Sequence, residues 1–172
     1  MKIYIVKETS IDEKRVALVP DVAKKFIKDG FEVFLEKDAG NLSKFTDEDY
    51  ISVGVNIDNN QDNISDADVI FCVRIPEDNL INKIKSGACV IGLLNPYDNK
   101  EKLELLSNKG INAFSMELIP RSPRAQSMDV LSSQSNLAGY KAVINSASLY
   151  NKAMPMMMTA AGTIAPAKIF IM

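Results

Sequence analysis

Apolar residues fall in short blocks set between polar stretches, and their spacing predicts strands and helices in alternation. KIYIV, residues 2 to 6, opens the chain as a β-rich run. A helix follows from about Pro20 to Asp29, with proline in its first turn, an apolar face of Val22, Phe26 and Ile27, and Gly30 as its left-handed stop. EVFLE at 32 to 36 returns as a strand, and Thr46 caps a short helix through Asp47, Glu48 and Tyr50 that ends at Gly54. ADVIFCVR (67 to 74) is again a strand. A helix at 77 to 86, a strand at 88 to 94, a helix from Asn99 to Lys109 stopped by Gly110, and a strand at 111 to 115 complete the cycle. That makes five strands. Their near-continuous apolar runs, as opposed to alternating ones, mean burial on both faces, which crossover helices on a parallel sheet provide.

The predicted fold is therefore α/β, an open parallel sheet of the Rossmann-like or flavodoxin-like kind, in an N-terminal lobe over residues 1–128. Its last stretch, MELIPRSPRAQSMD, has two prolines, two arginines and no period, and reads as a loop. A long helix runs from about Asp129, its N-cap, to Tyr150, with a stripe of Val130, Leu137, Tyr140, Ile144 and Ala147. It is longer than a crossover needs, so 129–165 is expected to be a bridging helix and linker. AKIFIM reads as a strand, and 166–172 is expected to be the first strand of a second lobe that continues downstream.

Composition narrows the chemistry. The 172 residues are 47% hydrophobic and 24% charged, with 20 Lys+Arg against 22 Asp+Glu, enough apolar material for a core and no cationic excess for nucleic acid or anionic lipid. Histidine is absent, which removes the commonest general base and metal ligand and every Ser-His or Cys-His nucleophile. Cys72 and Cys89 sit in apolar strands and read as inert core thiols of a reducing compartment. No signal peptide is visible, because Lys2, Lys7 and Glu8 interrupt the first apolar run. Met154 to Met172 is no membrane span, since Pro155, Gly162, Pro166 and Lys168 break it. A cytoplasmic location is expected.

Two polar clusters stand out. RSPRAQSMDVLSSQS, from Arg121 to Ser135, puts two guanidinium groups, the Gln126 amide, Asp129 and several hydroxyls at a helix N-terminus, suited to an anionic or carboxamide ligand, or simply a capped helix after a polar loop. Lys7, Glu8, Lys14 and Arg15 follow the first strand's carboxyl end, where open α/β folds bind ligands, and Arg74 ends another strand at the same edge. A mixed charge run of this kind is also what a solvated loop looks like. MPMMM (154 to 158) reads as flexible packing, and no GxGxxG phosphate loop is present.

The run IPRSPRAQSMDVLSSQSNLAGYKAVINSA, continuing through PMMMTAAGTIAPAKIFIM, resembles the NAD-binding domain of the proton-translocating NAD(P) transhydrogenase alpha subunit, and KETSIDEKRVALVPDVAKKFIKDGFEVFLEKDAG is similar to a pattern which that family shares with alanine dehydrogenases. The resemblance covers the whole chain and implies two lobes joined by long helices. It also implies NAD(H) bound in the cleft against a second lobe whose GxGxxG would follow AKIFIM. It implies cofactor contacts from Arg121, Gln126, Asp129 and Ser132, with Ser127 and Met128 beside them. It also implies NADP(H) on a beta subunit, hydride transfer coupled to proton translocation, an oligomeric assembly with the remainder of the alpha subunit, and a peripheral place at the inner membrane through those partners. In alanine dehydrogenases an Arg and a Lys hold pyruvate and a histidine is the acid/base; here Arg15 matches the Arg, Arg74 stands for the Lys, and Asn95 falls near the histidine position. Imine reduction then lacks its proton donor, whereas passing a hydride between two nicotinamides needs none. Val6 and Val19 depart from the family's usual Pro and Ser or Thr. The alternatives are an inactive truncated fragment or a noncatalytic interaction module that docks through its terminal strand and bridging helix.

Overall fold

The structure is a computed structural model describing residues 1–171. It divides into two compact units, Met1–Met128 and Asp129–Met172. The first unit carries β1 (Lys2–Ile5), α1 (Pro20–Lys28), β2 (Glu32–Glu36), α2 (Asp47–Ser52), β3 (Asn56–Asp58), β4 (Val69–Arg74), α3 (Asp78–Ile81), β5 (Cys89–Leu93), α4 (Lys100–Asn108) and β6 (Asn112–Ser115). The strands form one six-stranded sheet in the order β3-β2-β1-β4-β5-β6, with every neighbouring pair parallel. This is the doubly wound order, and the chain reverses direction across the sheet between β1 and β4.

Local chemistry sets the element ends. Thr46 and Asp49 form a reciprocal capping box at α2. Gly30 and Gly110, at φ 87° and 68°, supply the left-handed residue that ends α1 and α4. Alternate sides of the strands feed two cores. One holds Tyr4, Ile70, Cys72 and Val90 with Leu80, Ile81 and Leu106 from α3 and α4; the other holds Ile3, Ile5, Val33 and Leu35 with Ala23 and Tyr50 from α1 and α2. The Tyr50 hydroxyl donates to the Leu18 carbonyl at 2.8 Å, satisfying its one polar atom inside the second core.

The expected five strands are six, because Asn56–Asp58 adds an edge strand beside β2. Its single apolar residue, Ile57, is too little pattern to read. The expected helix at 77–86 is only Asp78–Ile81. Beyond it Lys83 and Ile84 close three-residue turns onto Leu80 and Ile81, which keeps Leu80, Ile81 and Ile84 all in the core. Cys72 is buried as expected, whereas Cys89 is half-buried; both are free thiols.

In the second unit, α5 (Val130–Tyr150) matches expectation, with the Asp129 carboxylate accepting from the Ser132 amide as the N-cap. No residue of α5 is buried. Leu131, Leu137, Tyr140, Val143, Ile144 and Leu149 are all exposed, so the apolar residues lie around the helix and not in one stripe. The linker contains a hairpin, β7 (Met157–Thr159) antiparallel to β8 (Gly162–Ile164), closed by the two-residue turn Ala160-Ala161. Met156, Met157 and Met158 are exposed, against the expectation that they pack. The strand expected at 166–172 is not formed among the described residues: Ile169, Phe170 and Ile171 are exposed and enter no ladder, as extended backbone does without a neighbour to pair with. Met172 lies outside the described residues. Among those described, no helix is long and apolar enough to cross a membrane.

Candidate functional site

Open α/β sheets bind ligands outside the carboxyl ends of their strands, beside the point where strand order reverses. Here that edge is formed by the segments following β1 and β4, and it holds a cleft of about 400 Å³ lined by Asp12, Glu13, Arg74, Leu93, Asn95 and Lys102 among others. Three carboxylates organise it. Glu8 accepts from the backbone amides of Val73 at 2.6 Å and Arg74 at 3.1 Å. Those amides are available because β4 carries an irregularity there: Phe71 pairs with Ile91 but Arg74 pairs with Leu93, one residue out of step. Burial pushes the Glu8 carboxyl above its ordinary range despite the two amides.

Glu13, only 6% exposed, is the hub of the edge. It accepts from Arg15 Nε and Nη2, each at 2.7 Å, and from Arg74 Nε at 3.1 Å. The Arg15 guanidinium holds the Glu13 carboxyl down to about 2, burial opposing it and the Arg74 hydrogen bond adding to it. The third carboxylate, Glu117, follows β6 and accepts from the Asn95 amide, steadying Asn95 in its left-handed conformation at φ 47°. Burial alone would raise Glu117, but the surrounding donors outweigh it and hold it below the ordinary range.

The sequence singled out Lys7, Glu8, Lys14, Arg15 and Arg74, and the fold brings Glu8, Arg15 and Arg74 to this edge. Glu13 and Glu117 were missed. Their only signal was negative charge near positive charge in segments read as loops.

The other sequence-predicted residues lie in the segment after β6. Gln126, Ser127 and Met128 form one 3₁₀ turn, all three exposed, and Arg121 is exposed in the same loop. Ala125, between them, is buried and anchors the loop. An apolar groove beside it is lined by Phe114, Met116, Leu118, Ile119, Ala125 and Met128, among others. At the start of α5, Ser132 is doubly tied to Asp129: its amide donates to Oδ1 at 2.9 Å and its hydroxyl to Oδ2 at 2.6 Å. With its proton so directed, the Ser132 hydroxyl presents lone pairs outward as an acceptor. Gln126 offers both a donor and an acceptor, and Arg121 a forked cation. Among the described residues no cluster has the ligands for a metal ion.

The chain is similar to known proteins over nearly its whole length. The chain is 44% identical to the first part of the NAD(P) transhydrogenase subunit alpha of Rickettsia prowazekii, matching all of this chain and 46% of that protein. It is 45% identical to the Rhodospirillum rubrum protein of the same name, over 99% of this chain and 46% of that one. In structure it superposes on the transhydrogenase from Sinorhizobium meliloti with a TM-score of 0.92 and 46% identity, covering 97% of this chain and 50% of that one. The chain thus spans about half the length of the relatives it matches. Residues 4–138, which include all but the first two residues of the sheet, the carboxyl-edge cleft and the loop from Arg121 into α5, match the alanine dehydrogenase/PNT N-terminal domain, and the chain belongs to that family.

Proposed function

We propose that this chain is the N-terminal part of a proton-translocating NAD(P) transhydrogenase alpha subunit and supplies the loop that meets the nicotinamide end of NAD(H). The observation that carries this reading is the Asp129–Ser132 pair at the start of α5, preceded by Arg121, Gln126, Ser127 and Met128, in a chain close to relatives named for that subunit. Ser132 and Gln126 would hold the carboxamide, Arg121 an anionic part of the dinucleotide, and Ser127 and Met128 the ring's surroundings. The nicotinamide itself supplies the hydride. What the chain does is orient it: Asp129 fixes the Ser132 rotamer, and the capped first turn of α5 fixes Asp129.

NADP(H) then sits on a beta subunit, and the rest of the alpha subunit supplies the pyrophosphate turn and ribose anchor that this sequence lacks. Coupling of hydride transfer to proton translocation belongs to that whole assembly. An alanine dehydrogenase activity is disfavoured, since no histidine exists to act as acid/base and Glu13 neutralises Arg15 and Arg74. A second reading, a noncatalytic interaction module, draws support from the exposed apolar residues around α5.

Isothermal titration with NADH tests the proposal. The chain alone is expected not to bind, and the chain mixed with the unmatched half of the Rhodospirillum rubrum relative is expected to bind. Gln126→Ala or Ser132→Ala should weaken binding in that mixture by about tenfold each, as loss of one hydrogen bond to a bound polar group does. No heat in either case would leave the interaction module as the surviving reading.

A further inference from the structure

The connection from β1 to α1 is fourteen residues, 6–19, with no element of its own, where a strand-to-helix turn in an α/β unit takes about two to six. Both ends of it are pinned. The Lys7 amide donates to Glu36 Oε2 at 2.9 Å, and Glu8 is held by the two β4 amides. Further on, the Lys14 carbonyl accepts from Ser43 Oγ at 2.7 Å and the Leu18 carbonyl from the Tyr50 hydroxyl. Between these fixed points Thr9, Ser10, Ile11 and Asp12 are all exposed, and among the described residues none of the four hydrogen-bonds outside the loop. Ile11, at the tip, is 96% exposed, so moving it gives up no apolar burial.

That span lies over the carboxyl edge of the sheet. Ser10 lines both the cleft of about 400 Å³ and a neighbouring cavity of about 140 Å³, and Arg74, Ile75 and Glu77 are likewise common to the two. The span and the end of β4 are therefore the partition between them. What ties one to the other is Glu13. Arg15 holds Glu13 on the loop's own side through its amide, Nε and Nη2, whereas the bond that crosses to β4 is the one from Arg74 Nε at 3.1 Å. The Arg74 side chain is 52% exposed, so water and salt screen that bond. Breaking it leaves Glu13 neutralised by Arg15, and opening strands no buried charge. We propose that residues 9–13 are a lid on the carboxyl-edge cleft, hinged at Glu8 and Lys14 and latched by the Glu13–Arg74 ion pair. Released, the lid joins the two cavities into one open cleft. This inference rests on the first unit alone and is independent of the transhydrogenase reading.

Trypsin reports the lid, because Lys14 is its hinge and cleavage there follows the population in which the surrounding backbone has opened. The full chain is digested briefly, and cleavage after Lys14 is followed by mass spectrometry relative to cleavage after Lys152, which is exposed in the second unit. Arg74→Gln removes the latch and should speed the cut at Lys14 by about tenfold. Arg74→Lys keeps a cation beside Glu13 and should return the rate toward that of the parent. Raising sodium chloride from about 0.05 to about 1 M should speed the same cut in the parent and leave Arg74→Gln unchanged, a response that loosened packing would not give. Equal rates at Lys14 in the parent and Arg74→Gln overturn the proposal. Faster cleavage shared by Lys28 and Lys37 marks a sheet loosened as a whole and overturns it too. Salt sensitivity that persists without Arg74 places the latch elsewhere, which is a third way for the proposal to fail.

Discussion

Met1–Met128 and Asp129–Met172 contrast in what surrounds equally regular backbone. In the first, strands and helices enclose two cores with side chains such as Ile5, Leu35, Tyr50 and Ile81 fully buried. In the second, a helix of 21 residues and a hairpin have ladders and caps of full quality and not one buried residue within them. Order thus has two separate sources in this chain. Capping, turn geometry and helix propensity suffice to specify the path of α5, but its exposed apolar residues, Leu131, Leu137, Tyr140, Val143, Ile144 and Leu149, gain from being covered. The first unit carries its own hydrophobic stabilisation, whereas the second presents surface that gains stability only when something covers it.

The sharpest way to break this contrast is a matched pair of truncations. Leu35→Ala, in the centre of one core, is expected to cost about 3 kcal/mol, the typical penalty of a cavity left by a buried leucine. Leu137→Ala, exposed on α5, is expected to stay within about 0.5 kcal/mol of the parent. Urea denaturation followed by circular dichroism measures both, and comparable losses would mean that α5 is packed after all.

A smaller effect comes from the charge hub. Glu13 has its carboxyl lowered in the folded chain from the ordinary 4.5 to about 2, so its ionised form contributes stability at neutral pH. That contribution is fully present above about 4.5 and is lost as pH falls toward 2, because the folded state resists a proton that the unfolded state accepts. It is of order 2 kcal/mol, discounted because the Arg74 side chain is 52% exposed and screened by water. Urea midpoints should therefore fall steeply between about pH 4.5 and 2.5, and Glu13→Gln should flatten that slope while lowering stability at neutral pH. Equal slopes in the two proteins would place the acid sensitivity elsewhere.

The smallest expected change lies in the second unit. Asp129→Ala removes the N-cap of α5 and should cost about 1 kcal/mol of local helix stability. Hydrogen exchange at the amides of Ser132 and Ser133 should speed up, with the denaturation midpoint of the first unit unchanged. A global shift would show that the helix start is coupled to the core.

Much of this is legible in the sequence. The strands at Lys2–Ile5 and Glu32–Glu36, the helix from Pro20, the Thr46 cap and the Asp129 cap all follow from residues acting on their own neighbourhood. What the pattern hid depends on distance. Asn56–Asp58 becomes a strand only because β2 lies beside it, and residues 77–86 fail to stay helical because the core draws in Ile84. The hairpin at 157–164 lacks the usual turn residues at its tip, with Ala160 and Ala161 where Asn-Gly would signal a turn. At the carboxyl edge, Glu13 looked like one charge among many. It becomes a nearly buried counter-ion because the sheet carries Arg74 to it across 61 residues of sequence. Asp129 and Ser132, three residues apart, were legible for the opposite reason.

The position of β1 bears on how the chain is made. β1, synthesised before either of its partners, is a central strand of the sheet, hydrogen-bonded to β2 on one side and to β4 on the other, with Ile3 opposite Val69. Those partners are 66 residues apart, so at roughly 5–20 residues per second one edge of β1 stays open for about 3–13 seconds of translation. During that interval Ile3, Tyr4 and Ile5 form a short apolar strand with half its backbone groups unpaired. Until β4 is made, this open strand is adhesive, and a holdase acting at the tunnel exit would find a binding site in KIYIV.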